Sequence, residues 1–352
     1  MGSNSIGTLF TVTTFGESHG AGIGVVIDGV PAGIHLPTEA IQRELDRRRP
    51  GQSAMTTSRK EEDRAEILSG VLDGITTGTP IGMFIRNHDA DSSAYDSFRD
   101  QFRPGHSDFT YQKKYGIRDY RGGGRSSGRE TAARVAGGAV ARAILTAEGI
   151  TVTAYTIRAA GISCSIRDAA AIEGNPLRAC DPDAAVLMEE RIREIAAAGD
   201  SVGGVVECVV GGLPAGLGDP VIGKLEARIG GAVLSIGGVK GIEFGDGFAS
   251  ADHLGSENND QMGADGFLSN HAGGIIGGIS TGQELVFRAA IKPTPSIGKP
   301  QRTVDSRGTP GTIAITGRHD PCLCPRIVPV IEAMTAIVLV DSLFMNRGWR
   351  RQ

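Results

Sequence analysis

A glycine-rich segment that carries three arginines is the strongest candidate for chemistry in this sequence. It runs from Tyr120 to Thr131, and its arginines recur every four residues, at positions 121, 125 and 129. Ser127 and Glu130 have the spacing of a capping box, and the apolar stripe over residues 132–143 predicts a helix behind them. The segment therefore predicts a helix N-terminus whose free N–H groups and arginines bind a phosphate or a carboxylate.

Two other interpretations of this segment stay open at this point. It could be a flexible loop before a surface helix, or an Arg-Gly-Gly contact to RNA. RNA binding of that kind depends on interleaved aromatic residues and a basic field. The chain has 5% aromatic residues and a formal net charge of −4. Its composition therefore argues against a nucleic-acid partner.

Three histidines stand where they could exchange protons. His19 follows a predicted strand, His106 ends a turn that Arg103 begins, and His319 directly precedes Asp320. An imidazole titrates near neutral pH, and a neighbouring carboxylate can tune its pKa or relay a proton. Each histidine also has a structural alternative, either a loop imidazole satisfied by its neighbours or a polar helix entry that Asp320 caps.

Two later segments could approach a ligand closely. The prolines of Lys292–Ser296 stiffen a loop that carries one lysine and two hydroxyl groups. Asn270–Gly282 is dense in glycine, so its backbone could approach a flat ligand or pack tightly on other backbone. Composition alone leaves both alternatives open.

The elements that must position these residues alternate along the chain without βαβ regularity, a repeat or a low-complexity linker. This pattern predicts a single α+β domain over residues 1–352. The predicted helices are Thr38–Arg48, one begun by Ser127, Asp183–Ala198, one from Asp219-Pro220 to Ile229, and Pro329–Met345. The predicted strands are Thr8–Thr14, Gly24–Ile27, Ile67–Leu72, Ile81–Arg86, Thr151–Arg158, Gly204–Val210, Leu285–Ile291 and Thr312–Thr316.

Composition narrows the class of protein. The 52 glycines are about twice the usual share of roughly 7%, which indicates many tight turns. Five irregularly spaced cysteines predict no disulfide framework, and Cys322-x-Cys324 matches no common zinc spacing, so we expect no metal. The N-terminus has no signal-peptide pattern, and no apolar stretch is long enough to span a bilayer. These features predict a cytoplasmic enzyme without a membrane partner.

Several extended stretches follow one another in a fixed order. The longest are GESHGAGIGVVIDGVP (16–31), RGGGRSSGRETAARVAGGA (121–139) and RHDPCLCPRIVPVIEAM (318–334). Shorter ones are RRRPGQ (47–52), RPGHSDFTY (103–111), GDGF (245–248), SNHAGGIIGGISTGQ (269–283) and KPTPSI (292–297). From Gly7 to about Leu343, the sequence resembles the chorismate synthase family.

The resemblance implies a specific reaction. It is the 1,4-anti elimination of phosphate from 5-enolpyruvylshikimate 3-phosphate to give chorismate, with reduced FMN as a cofactor and no net redox change. The substrate carries a phosphate and two carboxylates, which arginines bind well through charge-assisted hydrogen bonds. The family also implies a β-α-β sandwich, with helices between two antiparallel sheets, and a homotetramer.

The resemblance also implies roles for residues that match the family's motifs. The catalytic residues are His19 near the substrate, His106 against the reduced flavin, Asp320 near flavin N5, and the serines Ser18 and Ser127. The cofactor-binding residues are Arg125, Ser126, Ser127, Gly237, Gly238, Gly277, Lys292, Pro293, Thr294, Pro295, Ser296 and Arg318. The substrate-binding residues are Arg48, Arg49, Arg103 and Arg129.

Two positions depart from the family pattern. Ala54 stands where some relatives carry a basic residue linked to nicotinamide nucleotide contact, and Gly237-Gly238 replace a Pro or Asn followed by Ala. We therefore expect a monofunctional enzyme that an external reductant supplies with reduced FMN. The alternative is an FMN-dependent oxidoreductase that acts on a phosphorylated carboxylic acid.

Overall fold

The strands form two five-stranded antiparallel sheets and four small hairpins. The structure, a computed structural model, describes residues 2–53, 55–56, 61–89, 93–315 and 319–348. Within these residues the strands are β1 Ser5–Ile6, β2 Thr11–Gly16, β3 Gly22–Asp28, β4 Ala65–Ile67, β5 Val71–Leu72, β6 Ile75–Thr76, β7 Ile81–Arg86, β8 Thr151–Ala159, β9 Ile162–Ser163, β10 Gly204–Gly211, β11 Val239–Phe244, β12 Met262–Gly263, β13 Gly266–Phe267, β14 Ile275–Ile276, β15 Ile279–Ser280, β16 Leu285–Ile291, β17 Gln301–Val304 and β18 Pro310–Ile313.

Each large sheet buries one row of apolar side chains. The first sheet has the order β1-β2-β3-β7-β4 and the second has the order β11-β16-β10-β8-β9. In the first sheet Ile23 lies opposite Ile85 and Ile27 lies opposite Ile81, and all four are buried. Because side chains alternate along a strand, this register fixes which face of the sheet is covered.

The helices are mostly long enough to cross the sheets. They are α1 Thr38–Arg48, α2 Asp108–Tyr115, α3 Thr131–Ala147, α4 Pro182–Ala197, α5 Leu225–Leu234, α6 Gly255–Asn258 and α7 Cys324–Arg347. Short 3₁₀ turns occur at Ser93–Phe98, Gly124–Ser126, Gly128–Glu130, Ala169–Gly174 and Gly247–Asp252.

Helices α3 and α7 lie between the two sheets. α3 packs on β2, β3 and β7 of the first sheet, α7 packs on β8 and β10 of the second, and the two helices pack on each other. A Cβ atom on Gly138 of α3 would lie 2.3 Å from the Cβ atom of Ala333 in α7, so the close approach of the helices requires glycine. The buried apolar side chains of both sheets and both helices form one cluster. The predicted β-α-β sandwich is confirmed.

Helix α7 is the core helix of this sandwich. By length and composition it could cross a membrane, but it is almost completely buried inside the fold. Its two buried carboxylates have partners. Glu332 pairs with Arg47 at 2.5 Å, and Asp341 accepts N–H groups from Leu9 and Phe10 at 2.7 and 2.9 Å. The long apolar run therefore reflects burial within the protein.

Several element bounds differ from the sequence predictions. The start of α5 was predicted at Pro220 with Asp219 as its cap, but the helix begins at Leu225, whose N–H donates to Gly278 O at 2.9 Å. The start of α7 was predicted at Pro329, but the helix begins at Cys324. A proline removes the N–H that would bond four residues back. Here the carbonyl of Pro325 accepts a hydrogen bond from Arg178 Nη1 at 2.7 Å instead, so the helix continues through the proline.

The predicted capping box before α3 is only half right. Ser127 Oγ accepts a hydrogen bond from Arg129 N at 3.3 Å, as an N-cap side chain does. The carboxylate of Glu130 accepts a hydrogen bond from Arg134 Nε at 2.9 Å, and the N–H of Ser127 donates to Gly124 O. A 3₁₀ turn thus leads the glycine-rich segment into the helix.

Candidate active site

One large cavity opens beside the glycine-rich segment. Its volume is about 2030 Å³, and the segment forms one of its walls. The other walls come from the turn after Arg103, residues 237–240, residues 292 and 294–296, and the residues that lead into α7. Ligand pockets usually measure roughly 300–1000 Å³, so this cavity can hold two ligands side by side.

The glycine-rich segment runs between two histidines. Gly122 and Gly123 have φ angles of 70° and 102°, in the left-handed region that favours glycine. A Cβ atom on Gly122 would lie 2.4 Å from His19 Cε1, and one on Gly123 would lie 2.8 Å from His106 Cε1. The glycines are therefore needed both for the backbone conformation and for the space that the two imidazoles occupy.

This close approach predicts the effect of one added methyl group. The family resemblance implies a catalytic role for His19, so Gly122→Ala should lower kcat by about 100-fold because the added Cβ atom displaces its imidazole. Gly149→Ala is the matched control, since Gly149 has a φ of 74° and open space around its Cα atom. Both variants should lose about 1–2 kcal/mol of unfolding free energy through the left-handed strain. Equal kcat values for the two variants in steady-state assays would contradict this account.

His106 is held by an aspartate and an arginine. Its Nδ1 lies 3.0 Å from Asp108 Oδ1 and 3.1 Å from Arg103 Nη2. Arg103 also clamps both oxygens of Asp108, at 2.8 Å each, and Lys292 Nζ donates to Gly105 O at 2.5 Å. Nδ1 accepts from Arg103 in one tautomer and donates to Asp108 in the other, and the tautomer that donates to Asp108 keeps a lone pair on Nε2.

Burial decides the charge state of His106. It lowers the pKa of the imidazole below the usual value, and the positive charge of Arg103 acts in the same direction. The hydrogen bond to Asp108 opposes the shift without reversing it. His106 is therefore neutral at neutral pH and can take up a proton at Nε2.

His19 is oriented by a buried serine. Ser18 Oγ lies 3.0 Å from His19 Nδ1, and the ring of Tyr95 stands edge-on to the imidazole with 5.4 Å between centroids. His19 lines the cavity, whereas Ser18, which is 1% exposed, lies behind it. The geometry makes Ser18 a residue that orients His19.

Asp320 lies at the entrance to α7. It is buried, its Oδ2 is 2.5 Å from Arg326 Nη1, and its carbonyl accepts a hydrogen bond from Thr294 Oγ1 at 2.7 Å. Thr294 belongs to the proline-stiffened loop that the sequence singled out. The loop and the carboxylate are thus fixed to each other on one wall of the cavity.

The neighbouring His319 predicts how stability depends on pH. Burial, reinforced by Arg103, lowers the pKa of His319 to about 4. Between about pH 6.5 and pH 4 the unfolded chain binds the extra proton and the folded chain does not, so stability is lost as the pH falls. The imidazole should account for up to about 3 kcal/mol of that loss. His319→Gln should flatten the decline of unfolding free energy in urea titrations between about pH 7 and pH 4.5. Parallel curves for the wild type and the variant would refute this assignment.

The four arginines expected to bind substrate differ in their surroundings. Arg103 and Arg129 line the cavity. Arg48 is 1% exposed, and its guanidinium binds Asp63, Thr131 and the carbonyl of Gly128; it is absent from the described cavity lining. Arg49 is exposed and lies 3.9 Å from Asp46. The structure thus brings two of the four to the cavity.

Most of the residues expected to bind the cofactor share the cavity. Those that line it are Arg125, Ser126, Ser127, Gly237, Gly238, Lys292, Thr294, Pro295 and Ser296. Pro293 and Gly277 are not among the described lining residues, and Gly277 lies in the turn between β14 and β15. Arg318 and Ala54 lie outside the described residues. The guanidinium of Arg125 binds Thr14 Oγ1 at 2.7 Å and Gly16 O at 3.2 Å, which ties the glycine-rich segment to β2.

Two site residues were missed by the sequence analysis. Asp108 stands two positions after His106, a spacing that could have indicated a carboxylate partner for the imidazole. Lys240 follows Gly237-Gly238 without any local signal. It lines the cavity together with Lys292. Burial lowers the pKa of Lys292, and the positive charge of Lys240 lowers it further. Neither lysine forms an ion pair with a described carboxylate, so the two mark a cationic part of the wall.

Comparisons with known proteins agree in one family. A family model described as chorismate synthase matches residues 10–344. The chain is 57% identical over 343 residues to the chorismate synthase of Syntrophobacter fumaroxidans, with 97% of each chain covered. It is 54% identical over 347 residues to that of Maridesulfovibrio salexigens, with 99% of each covered.

A crystal structure of a chorismate synthase agrees as well. It superposes with a TM-score of 0.79 at 32% identity, over 97% of this chain and 94% of that one. The matches extend over nearly the whole chain and include the segments that surround the cavity. The chain belongs to the chorismate synthase family.

Proposed function

We propose that this chain converts 5-enolpyruvylshikimate 3-phosphate to chorismate and phosphate, with reduced FMN bound in the same cavity. The observation that carries the proposal is the convergence of His19, His106 and Asp320 on one cavity, around the glycine-rich segment of a family member. The lyase activity follows from the family. The reduced FMN and the roles of the residues are the finer part of the proposal.

The cavity suits a flavin in shape and charge. Leu323, Ile327, Val330 and Met334 form an apolar wall that fits a flat ring system. A Cβ atom on Gly238 would lie 3.1 Å from Leu323 Cδ1, so glycine leaves room beside that wall. Lys240 and Lys292 supply positive charge for a phosphate group. When bound, reduced FMN would supply transient electron donation that assists loss of the allylic phosphate without net redox change.

Different residues of the chain donate and accept the protons in this proposal. His19 would give a proton from Nε2 to the departing phosphate, with Nδ1 held by Ser18. His106 exchanges a proton at Nε2, while Asp108 and Arg103 fix the orientation of its ring. The carboxylate of Asp320, held by Arg326, accepts the proton that leaves during the elimination. Ser127 caps the turn into α3 and keeps the segment in place.

The remaining parts of the proposal concern the protein as a whole. We expect one domain over residues 1–352, a homotetramer and a cytoplasmic location, with reduced FMN supplied by an external reductant. All five cysteines are free thiols, as is usual for a reducing compartment. Analytical ultracentrifugation tests the oligomer. Anaerobic incubation with NADPH and FMN tests whether the chain reduces flavin without help.

A product assay tests the function directly. The protein, the substrate and photoreduced FMN are incubated without oxygen, and chorismate and inorganic phosphate are measured separately. The proposal predicts that both appear in equal amounts and that neither forms without enzyme. Phosphate release without chorismate would show that the chain is a phosphatase toward this substrate and would contradict the proposal.

A further inference from the structure

A buried aspartate lies between two buried arginines beside the cavity. Asp63 Oδ2 is 2.7 Å from Arg48 Nη1, and Asp63 Oδ1 pairs with Arg129 Nη1. Asp63 is 1% exposed and has a φ of 49°, which is uncommon for a residue other than glycine. A strained backbone that brings one carboxylate onto two cations indicates a specific requirement for its position.

The two arginines link this carboxylate to the wall of the cavity. Arg48 donates from Nη2 to Gly128 O at 2.7 Å and from Nε to Thr131 Oγ1 at 3.0 Å. Gly128 lies in the 3₁₀ turn that leads the glycine-rich segment into α3, and Thr131 is the first residue of α3. Arg129, which lines the cavity, donates from Nε to Asn87 Oδ1 at 2.9 Å. Asp63 therefore connects α1, the residues after β7 and the N-terminal turn of α3.

Asp63 and Arg48 remain ionised at neutral pH. Burial raises the pKa of Asp63, but Arg48 and Arg129 outweigh it and hold the pKa below the usual range. Burial lowers the pKa of Arg48 to about 10, so the guanidinium keeps its proton. Glu61 Oε2 lies 3.8 Å from Arg129 Nη2 and adds a second negative charge. The positive charge of Arg129 is thus balanced before any ligand enters.

We propose that Asp63 is a positioning residue: through Arg48 and Arg129 it fixes the N-terminal turn of α3 against the cavity, and its charge prevents Arg129 from closing tightly on the substrate's anionic groups in the ground state. This inference rests on the proposed function. An enzyme gains rate from interactions that strengthen in the transition state, and tight ground-state binding does not help. Removing the carboxylate should therefore separate binding from turnover.

Asp63→Asn tests the inference, because asparagine keeps the shape and tolerates the left-handed backbone while it removes the charge. We expect kcat to fall by about 100-fold, since the turn and Arg129 shift from their working positions. KM should not rise, and the substrate affinity from calorimetry without flavin should equal or exceed that of the wild type. A purely structural role would not produce this split between kcat and KM.

Glu207→Gln is the matched control. Glu207 is also a buried carboxylate between two arginines, at 2.9 Å from Arg167 and 2.7 Å from Arg288, but it lies in the second sheet, away from the described cavity lining. This variant should lose stability as Asp63→Asn does, while kcat and KM stay within about twofold of the wild type. Asp63→Glu keeps the negative charge on a longer side chain. It is the second test variant, for use if Asp63→Asn does not fold. It should lower kcat by about tenfold without raising KM.

The outcomes separate cleanly. A kcat within threefold of the wild type for Asp63→Asn, or for Asp63→Glu if the former does not fold, would overturn the inference. A tenfold rise in KM for either variant would do the same. A wild-type protein that makes no chorismate in the same assay would instead overturn the proposed function.

Discussion

His106→Ala is expected to lower kcat for chorismate formation by about 1000-fold, within the range that a positioned acid–base group contributes. The neutral imidazole lines the cavity with Nδ1 next to Asp108, and Nε2 is the atom that we propose exchanges a proton there. Removing it leaves no group at that position. The measurement is anaerobic single-turnover chorismate formation with saturating substrate and reduced FMN.

The control for this variant is another histidine that faces an aspartate. His253 Nδ1 lies 3.6 Å from Asp246 Oδ2, and His253 is absent from the described cavity lining. His253→Ala should keep kcat within about twofold of the wild type. If His106→Ala kept more than a tenth of the wild-type rate while still binding FMN, the assigned role of His106 would be wrong.

Asp320→Asn should lower kcat by about 100-fold, with FMN affinity largely kept. Asparagine fills the same space, so the wall formed with Thr294 should persist. It cannot accept the proton as a carboxylate does, and it leaves Arg326 without the counter-ion that now lies 2.5 Å away. Single-turnover rates and flavin titrations measure the two quantities separately.

Asp200→Asn is a suitable control for this substitution. Asp200 pairs with Lys299 at 2.8 Å on the surface, and neither residue is among the described cavity lining. Its loss should leave both kcat and FMN affinity unchanged within error. Equal single-turnover rates for Asp320→Asn and the wild type would remove Asp320 from the chemistry.

Local sequence signals predicted the elements whose ends depend on local chemistry. The helix predicted over Thr38–Arg48 and the strand predicted over Leu285–Ile291 both have the predicted bounds. The starts of α5 and α7 depend on distant groups, namely Gly278 O and the guanidinium of Arg178. The prolines near the start of α7 do not show that Arg178, about 150 residues earlier in the chain, will donate a hydrogen bond to the carbonyl of Pro325. The sequence predictions of these two helix starts were therefore wrong.

The candidate site likewise has features that local sequence predicts and features that depend on distant parts of the chain. The histidine turns and the glycine-rich segment were visible because their residue types are unusual in that spacing. That Gly122 and Gly123 separate His19 from His106 depends on tertiary packing over about 100 residues of chain. The burial of Arg48 behind Gly128 likewise could not be inferred from a run of three arginines. Sequence indicates which side chains can do chemistry, and packing decides which of them reach the cavity.

The central claim is that the cavity supports an elimination without net redox change, in contrast to a flavin oxidoreductase. The most direct test is the number of chorismate molecules formed for each electron pair supplied, under strict exclusion of oxygen, with reduced FMN far below the substrate concentration. The account predicts many turnovers for each reduced FMN, with the flavin still reduced when the substrate is exhausted. One flavin oxidised for each product molecule would contradict it and would favour the oxidoreductase.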